Sequence, residues 1–223
     1  FDFSSQRSSA THLAQQPQKQ IIEEFSLSNI LEDYGFKLLE VMRNGRILSS
    51  ENHPSVCRLC MTLESSNIHS ILTALSTIPS WNYELEESKV VSRVQPNSYI
   101  YYERIKSHGI TTRKRDFVFL RQGIRINERV FLLDRSVEHA NFPPMSRVAR
   151  GTIKQRITAL VPHHDNNKLT LMVVQMDIDY GGYSSAADGQ HQSTRILKGY
   201  TSLNQYLDQR TMHKLPDLLY CFD

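Results

Sequence analysis

From Trp81 to Asp177 the chain runs through apolar, β-branched and aromatic stretches separated only by short clusters of turn residues. That pattern constrains the fold more than any other. Strands are expected at 88–94, 98–105, 114–121, 128–136, 147–161 and 169–177. Between them stand Pro96-Asn97, His108-Gly109, Gln122-Gly123, Pro143-Pro144 and Asp165-Asn166-Asn167. Serial strands with connections this short build an antiparallel meander, not alternating βα units.

The flanking segments add helices. Residues 1–19, rich in Ser and Gln with Asp2 as their one acid, are expected to be a flexible lead-in or the remnant of an organellar targeting peptide. Ile21, Phe25, Leu27, Ile30, Leu31 and Tyr34 recur near helical spacing over 20–34, with a break near Ser26 or Ser28. Strands follow at 36–42, 47–50 and 56–63, the first pair joined at Asn44-Gly45. Ser65-Ser66-Asn67 supplies N-cap chemistry for a helix through Ile68, Ile71, Leu72 and Leu75 that ends before Pro79. Residues 181–191 are expected to be loop. A last helix over 194–212 carries one apolar stripe, Ile196, Tyr200, Leu203 and Leu207. The fold class is α+β, a curved antiparallel sheet with a long C-terminal helix across its mouth. Periodicity does not say whether the enclosed interior is filled or hollow. One domain is expected over 20–215, with 216–223 as a tail, and the start at Phe1 without methionine points to a fragment or processed form.

Composition narrows the function. A 39% hydrophobic content suffices for a real core, and a net charge of +3 does not imply a nucleic-acid partner. Between Arg104 and Arg156, however, thirteen Lys and Arg stand against four acids. Such a block attracts anionic membrane surfaces, or it is a solvated sheet face with arginines spaced along it. No apolar run approaches the roughly 18 residues that a spanning helix needs, and no signal-peptide core is visible. Cys57 and Cys60 form a lone CxxC, and Cys221 stands apart. With no second ligand pair for zinc, these are expected to be structural thiols in a reducing compartment. An intracellular, cytoplasmic place peripheral to membranes is expected, with a mitochondrial location as the alternative.

The patterns GxSxG, GxxxxGK[ST] and GxGxxG are all missing. His163-His164-Asp165 falls in a turn with no distant partner, and His139 lies in a loop. A non-catalytic protein with neither metal nor cofactor is expected.

One strand carries more meaning than the others. In 115–121, period-two alternation puts Arg115, Phe117, Phe119 and Arg121 on one face and Asp116, Val118 and Leu120 on the other. Arginine beside two phenylalanines either snorkels at a rim or sits in an apolar pocket with an assigned partner. Glu103 shares a face with Tyr99 and Tyr101. Turn-based register points it at Arg115, with Arg121 as the other candidate. An exposed cross-strand pair of little energetic consequence is the simpler alternative.

From about 36 to 212, the order of motifs resembles the steroidogenic acute regulatory protein-related lipid transfer (START) domain. The resemblance rests on Trp81-Asn82, Tyr99-Ile100-Tyr101-Tyr102-Glu103, Arg115-Asp116-Phe117-Val118 with Arg121, and Arg135-Ser136-Val137-Glu138-His139 with Pro143. Val148-Ala149-Arg150, Leu169-Thr170 leading into Asp177, Gly181-Gly182 and Tyr206-Leu207-Asp208-Gln209-Arg210 complete it. It implies a helix-grip fold in which the C-terminal helix closes a hydrophobic tunnel holding one lipid, a sterol or a phospholipid. It further implies that Glu103 pairs with Arg121, overriding the turn-based preference, and that Arg115 and Asp116 form a structural or portal pair. Tyr101, Phe117 and Phe119 would then line the tunnel, with Ile196, Tyr200, Leu203 and Leu207 as the underside of its lid. Lipid binding and transfer, membrane contact and no catalysis follow as expectations. The alternative is a START-fold subunit of a larger membrane-proximal assembly, with protein partners and no lipid transfer. The segment 183–191 is longer and more polar than the short proline-bearing link of many members, which implies an altered gate.

Overall fold

The computed structural model describes residues 34–65, 67–107, 113–182 and 186–210. The chain divides into two compact units, Phe1–Gly35 and Phe36–Asp223, and the described helices and strands lie in the second. The expected lead-in at 1–19, the helix at 20–34 apart from Tyr34, the tail at 216–223 and Cys221 lie outside the described residues, as do His108-Gly109 and 211–212.

Ten strands form one curved sheet. They are β1 Phe36–Met42, β2 Gly45–Ser50, β3 Val56–Leu63, β4 Leu85–Gln95, β5 Ser98–Ile105, β6 Lys114–Ile126, β7 Arg129–Ser136, β8 Val148–Arg150, β9 Thr152–Pro162 and β10 Thr170–Asp179. Their order is β1-β2-β3-β10-β9-β7-β6-β5-β4, antiparallel throughout, while short β8 pairs in parallel with the start of β6. Helix α1, Ile68–Ser76, precedes the meander, with the Asn67 side chain accepting the Ser70 N–H as N-cap. At the C-terminus α2, Ala186–Gly199, passes through a 3-10 turn at Tyr200–Ser202 into α3, Leu203–Arg210.

Alternation sorts each strand into two faces. Leu59 and Met61 of β3, Tyr99 and Tyr101 of β5, Phe117 and Phe119 of β6 and Val130 and Leu132 of β7 enter one core with α1 and the C-terminal helices. Fully burying each such aliphatic or phenylalanine side chain is worth about 1.5–3 kcal/mol. The opposite residues Ile100, Tyr102, Val118 and Leu120 form a second cluster against Val91, Val94, Val137 and Phe142. Both faces of β5 and β6 are thus buried, which is why their sequences read as unbroken apolar runs.

Several element boundaries differ from expectation. β6 runs through Gln122-Gly123 to Ile126, and the turn falls instead at Asn127, whose φ of 55° is one that asparagine tolerates. The expected strand 147–161 is two strands broken at Gly151, where a Cβ would strike the Phe117 ring. The expected loop 181–191 is helical from Ala186 onward, so most of the segment that suggested an altered gate belongs to the start of α2.

The joint between the C-terminal helices and the sheet is built from Trp81-Asn82. The Trp81 indole donates to the Ala74 carbonyl at 2.7 Å and meets the Tyr200 ring edge to face at 5.1 Å. The Asn82 amide donates to the Ile196 carbonyl at 3.2 Å and accepts the Glu84 N–H at 3.1 Å. Gly199 passes so close that a Cβ there would overlap the Asn82 side chain.

Candidate functional site

Four charged side chains converge inside the apolar core, one from each of β5, β6, β7 and β9. They are Glu103, Arg121, Asp134 and Arg156, none more than 4% exposed. Each sits in phase with the apolar residues of its own strand, so the pleat directs it inward. Register places Arg121 opposite Asp134, and Asp134 opposite Arg156.

Arg121 grips Asp134 with two N–H groups, Nε to Oδ1 at 2.7 Å and Nη2 to Oδ2 at 2.8 Å. Arg156 donates from Nε to Asp134 Oδ2 at 2.6 Å, then from Nη1 and Nη2 to the two oxygens of Glu103 at 2.9 and 3.2 Å. Asp134 therefore bridges two arginines, and Arg156 bridges two acids. Charge-assisted, bidentate bonds of this kind are the strong class, and only such pairing makes four buried charges tolerable. Two guanidinium and two carboxylate groups sum to zero.

Aromatic rings floor the network. Tyr101 and Phe119 stack at 5.6 Å with 10° between their planes. The Arg121 guanidinium lies 4.7 Å from the Tyr101 ring centroid, and Arg156 lies 4.7 Å from that of Phe119. The remaining Arg121 arm, Nη1, donates at 3.3 Å to the Leu75 carbonyl in the last turn of α1. A cation there satisfies an orphan helix carbonyl and suits the negative end of the helix dipole.

The electrostatics follow from this packing. Burial alone would raise the Asp134 carboxyl, but Arg121 and Arg156 outweigh it and hold it below the usual carboxylate range. For Arg156, burial opposes the charge, and Glu103 with Asp134 more than restores it. Tyr200 is buried in the same core. Burial raises its phenol, and the charges acting on it are those of Arg156, Glu103, Arg121 and Asp134.

The expected partnership of Glu103 with Arg121 is not what the strands form, nor is the turn-based one with Arg115. Glu103 pairs in register with Phe117, while Arg121 stands opposite Tyr99. Four residues along a strand is about 13 Å, beyond direct reach. The Arg121 link to Glu103 runs instead through Asp134 and Arg156. Arg115 donates from Nε to the Tyr180 carbonyl at 3.1 Å. Asp116, expected to pair with Arg115, instead accepts both Nε and Nη2 of Arg150 at 2.8 and 3.1 Å. Successive residues of a strand point to opposite faces, so Arg115 and Asp116 never meet.

Of the other expected site residues, Tyr101 and Phe119 touch the network. Phe117 packs edge to face on Tyr180 at 6.0 Å, toward the end of the interior. Ile196, Tyr200 and Leu203 are buried in the same core, and half-buried Leu207 packs against it. Asp134 and Arg156 were missed from the sequence. Their signal was a lone charge in phase with apolar neighbours, Val130 and Leu132 for Asp134 and Leu160 for Arg156. It becomes telling only once strand order makes the two adjacent.

The first half of α2 is held differently from the second. Gln190 donates to Ser49 Oγ at 2.6 Å, and the Tyr180 and Ser193 hydroxyls share a hydrogen bond of 2.9 Å. Beneath them burial pushes the Cys57 thiol up to about 11, against hydrogen bonds with Ser193 and Thr194. The end of the helix, from Ile196, adds the apolar contact of Ile196 and Leu197 with the core to the Asn82 hydrogen bond and a Lys198–Glu40 ion pair of 2.6 Å. Among the described residues no group of His, Cys, Asp and Glu is arranged to hold a metal ion, and no helix is long and apolar enough to cross a membrane.

The START domain family model matches residues 48–194. Similar solved structures include human StAR-related lipid transfer protein 5, at 15% identity and TM-score 0.74 over 93% of this chain and 99% of that one. Human STARD10 is similar at 15% identity and TM-score 0.72, covering 91% and 87%. A STAR-related lipid transfer protein fragment from Xanthomonas axonopodis is similar at 16% identity and TM-score 0.64, covering 78% and 99%. No match was found among curated protein sequences.

Proposed function

The chain belongs to the START domain family, and from that premise we propose that it binds a single lipid between the sheet and the C-terminal helices and carries it between membranes. One observation carries the reading. A fully paired charge network lies inside an otherwise apolar interior, in the core that also buries Tyr200 of the closing helices. A sequence selected for stability alone has little use for it, because hydrophobic residues of similar volume are often as good or better. As a polar anchor for one end of a lipid it has a purpose. The apolar body of the lipid would gain about 25 cal/mol per Å² removed from water.

On this reading Glu103 and Arg156 are the central pair, Arg121 and Asp134 their support, and Tyr101 and Phe119 the aromatic floor. Release requires α2 or its neighbouring connections to move. Lys106, Arg113, Lys114 and Arg147 are exposed around the β5–β6 connection and the entry to β8, near the Tyr180 carbonyl that Arg115 holds ahead of α2. They suit contact with an anionic membrane at that end, inside the cell and peripheral to the bilayer.

Native mass spectrometry of the purified chain tests the reading, together with transfer between vesicles. One lipid per chain is expected, with transfer that slows as salt rises. A chain free of lipid that moves none between vesicles would instead favour a START-fold subunit of a larger assembly.

A further inference from the structure

The two ends of the sheet are built differently. Among the described residues β1 and β4 are its edge strands. β4 breaks register with β5 three times, between Leu85 and Glu87, Val90 and Ser92, and Arg93 and Gln95. It also carries Glu86, Glu87, Lys89 and Arg93, with Lys89 and Arg104 on Glu87 and Lys114 on Glu86. Irregularity and charge of this kind keep an edge from accepting another strand. β1 breaks register with β2 once, between Leu38 and Glu40. Its Leu38, Leu39 and Val41 are 55%, 38% and 71% exposed. Single exposed apolar residues are ordinary, but three on a seven-residue edge strand make a surface ready to pair.

We infer that β1 pairs antiparallel with β1 of a second copy of this chain, joining two sheets edge to edge about a two-fold axis. The order of residues fits such a pair. Directly opposed residues of antiparallel strands share a face, and a two-fold pair requires every match to hold in both directions. Regular alternation would put Lys37 and Glu40 on opposite faces. The break at Leu39 changes that. Lys37 stands opposite Ser49 and Glu40 opposite Ile47, so both fall on the face whose Ile47 enters the core. Phe36, Leu38 and Val41 stand opposite Ser50, Leu48 and Arg46 and share the other face. A register that sets Lys37 against the partner's Glu40 therefore also sets Phe36 against the partner's Val41. Both matches repeat across the axis, with Leu38 and Leu39 of each copy meeting at the centre. Opposite charges thus meet twice, and the exposed leucines are covered. Glu40 keeps its Lys198 ion pair through Oε2, which leaves Oε1 for the partner's Lys37.

The blunted β4 edge stops the assembly at two copies, where two open edges would grow a fibre. A standard stable interface buries about 800 Å² per partner, more than one short edge strand offers, so the pair is weak, with Kd on the order of 10–100 μM. The contact uses no residue of the interior charge network and is independent of lipid binding.

Sedimentation equilibrium of the full chain without lipid, between about 1 and 300 μM, tests the inference together with hydrogen exchange. A monomer–dimer equilibrium is expected, with amides of 37–41 exchanging more slowly as concentration rises and those of β4 unchanged. Lys37→Glu sets carboxylate against carboxylate at both ends of the pair, and Glu40→Lys sets ammonium against ammonium. Each variant alone should dimerise about tenfold more weakly. An equimolar mixture should recover the wild-type strength, because both ion pairs form again between unlike chains. A chain that stays monomeric throughout overturns the inference. So does a dimer indifferent to the charge exchange, or one whose β1 amides gain no protection. Vesicle binding by a monomeric chain that Val41→Ser abolishes would assign the edge to a bilayer instead. If Glu40→Lys unfolds for want of its Lys198 contact, wild-type exchange and Lys37→Glu decide the matter by themselves.

Discussion

At the residue scale the interior is decided by one carboxylate. Asp134 accepts from both Arg121 and Arg156, so its loss unbalances two cations at once. Asp134→Asn should cost about 3–5 kcal/mol at neutral pH, the range for breaking a buried ion pair, as read from urea unfolding. The pH dependence follows from linkage. The folded carboxyl is depressed below its unfolded value, so its contribution is fully present above about pH 4 and is lost as pH falls through the folded value. The gap between wild type and variant should therefore narrow steadily below pH 4, and a gap that widens there would contradict the assignment. Glu103 was legible as a charge sharing a face with Tyr99 and Tyr101. Its partner was not, because Arg156 lies 53 residues away on a strand that no local pattern ties to β5.

At the element scale, the strands and α1 could be read from alternation, turn residues and the Asn67 cap. Their ends were less legible, because a Gly in a strand reads as a turn. Gly123 lies inside β6, and Gly151 separates β8 from β9 to make room for Phe117. Gly199 was not interpretable from sequence at all. It is dictated by Asn82, which lies against it and holds Ile196. Gly199→Ala should push Asn82 off that carbonyl and cost about 1–3 kcal/mol, the usual penalty of overpacking. Lipid release should rise as the helix joint loosens. A wild-type unfolding midpoint with wild-type release would show that the joint does not govern the lid.

At the scale of the whole molecule, α2 begins with a polar half over Ser49 and Tyr180, and its apolar contact with the core is concentrated at Ile196 and Leu197 near its end. The polar half has less apolar burial to lose on opening. In hydrogen exchange without lipid, amides of the first half of α2 should exchange faster than those of β9 and β10, and bound lipid should slow them. Equal protection with and without lipid would argue against a lid there. The meander, the apolar stripe of the last helix and the START resemblance were determined by the sequence itself, because period, turn chemistry and motif order are local or sequential. Only the tertiary structure decided which charges meet. Strand order places β9 beside β7 and β7 beside β6, so residues far apart in the chain become neighbours. In a buried site, partnership rather than residue type determines what each charge is free to do.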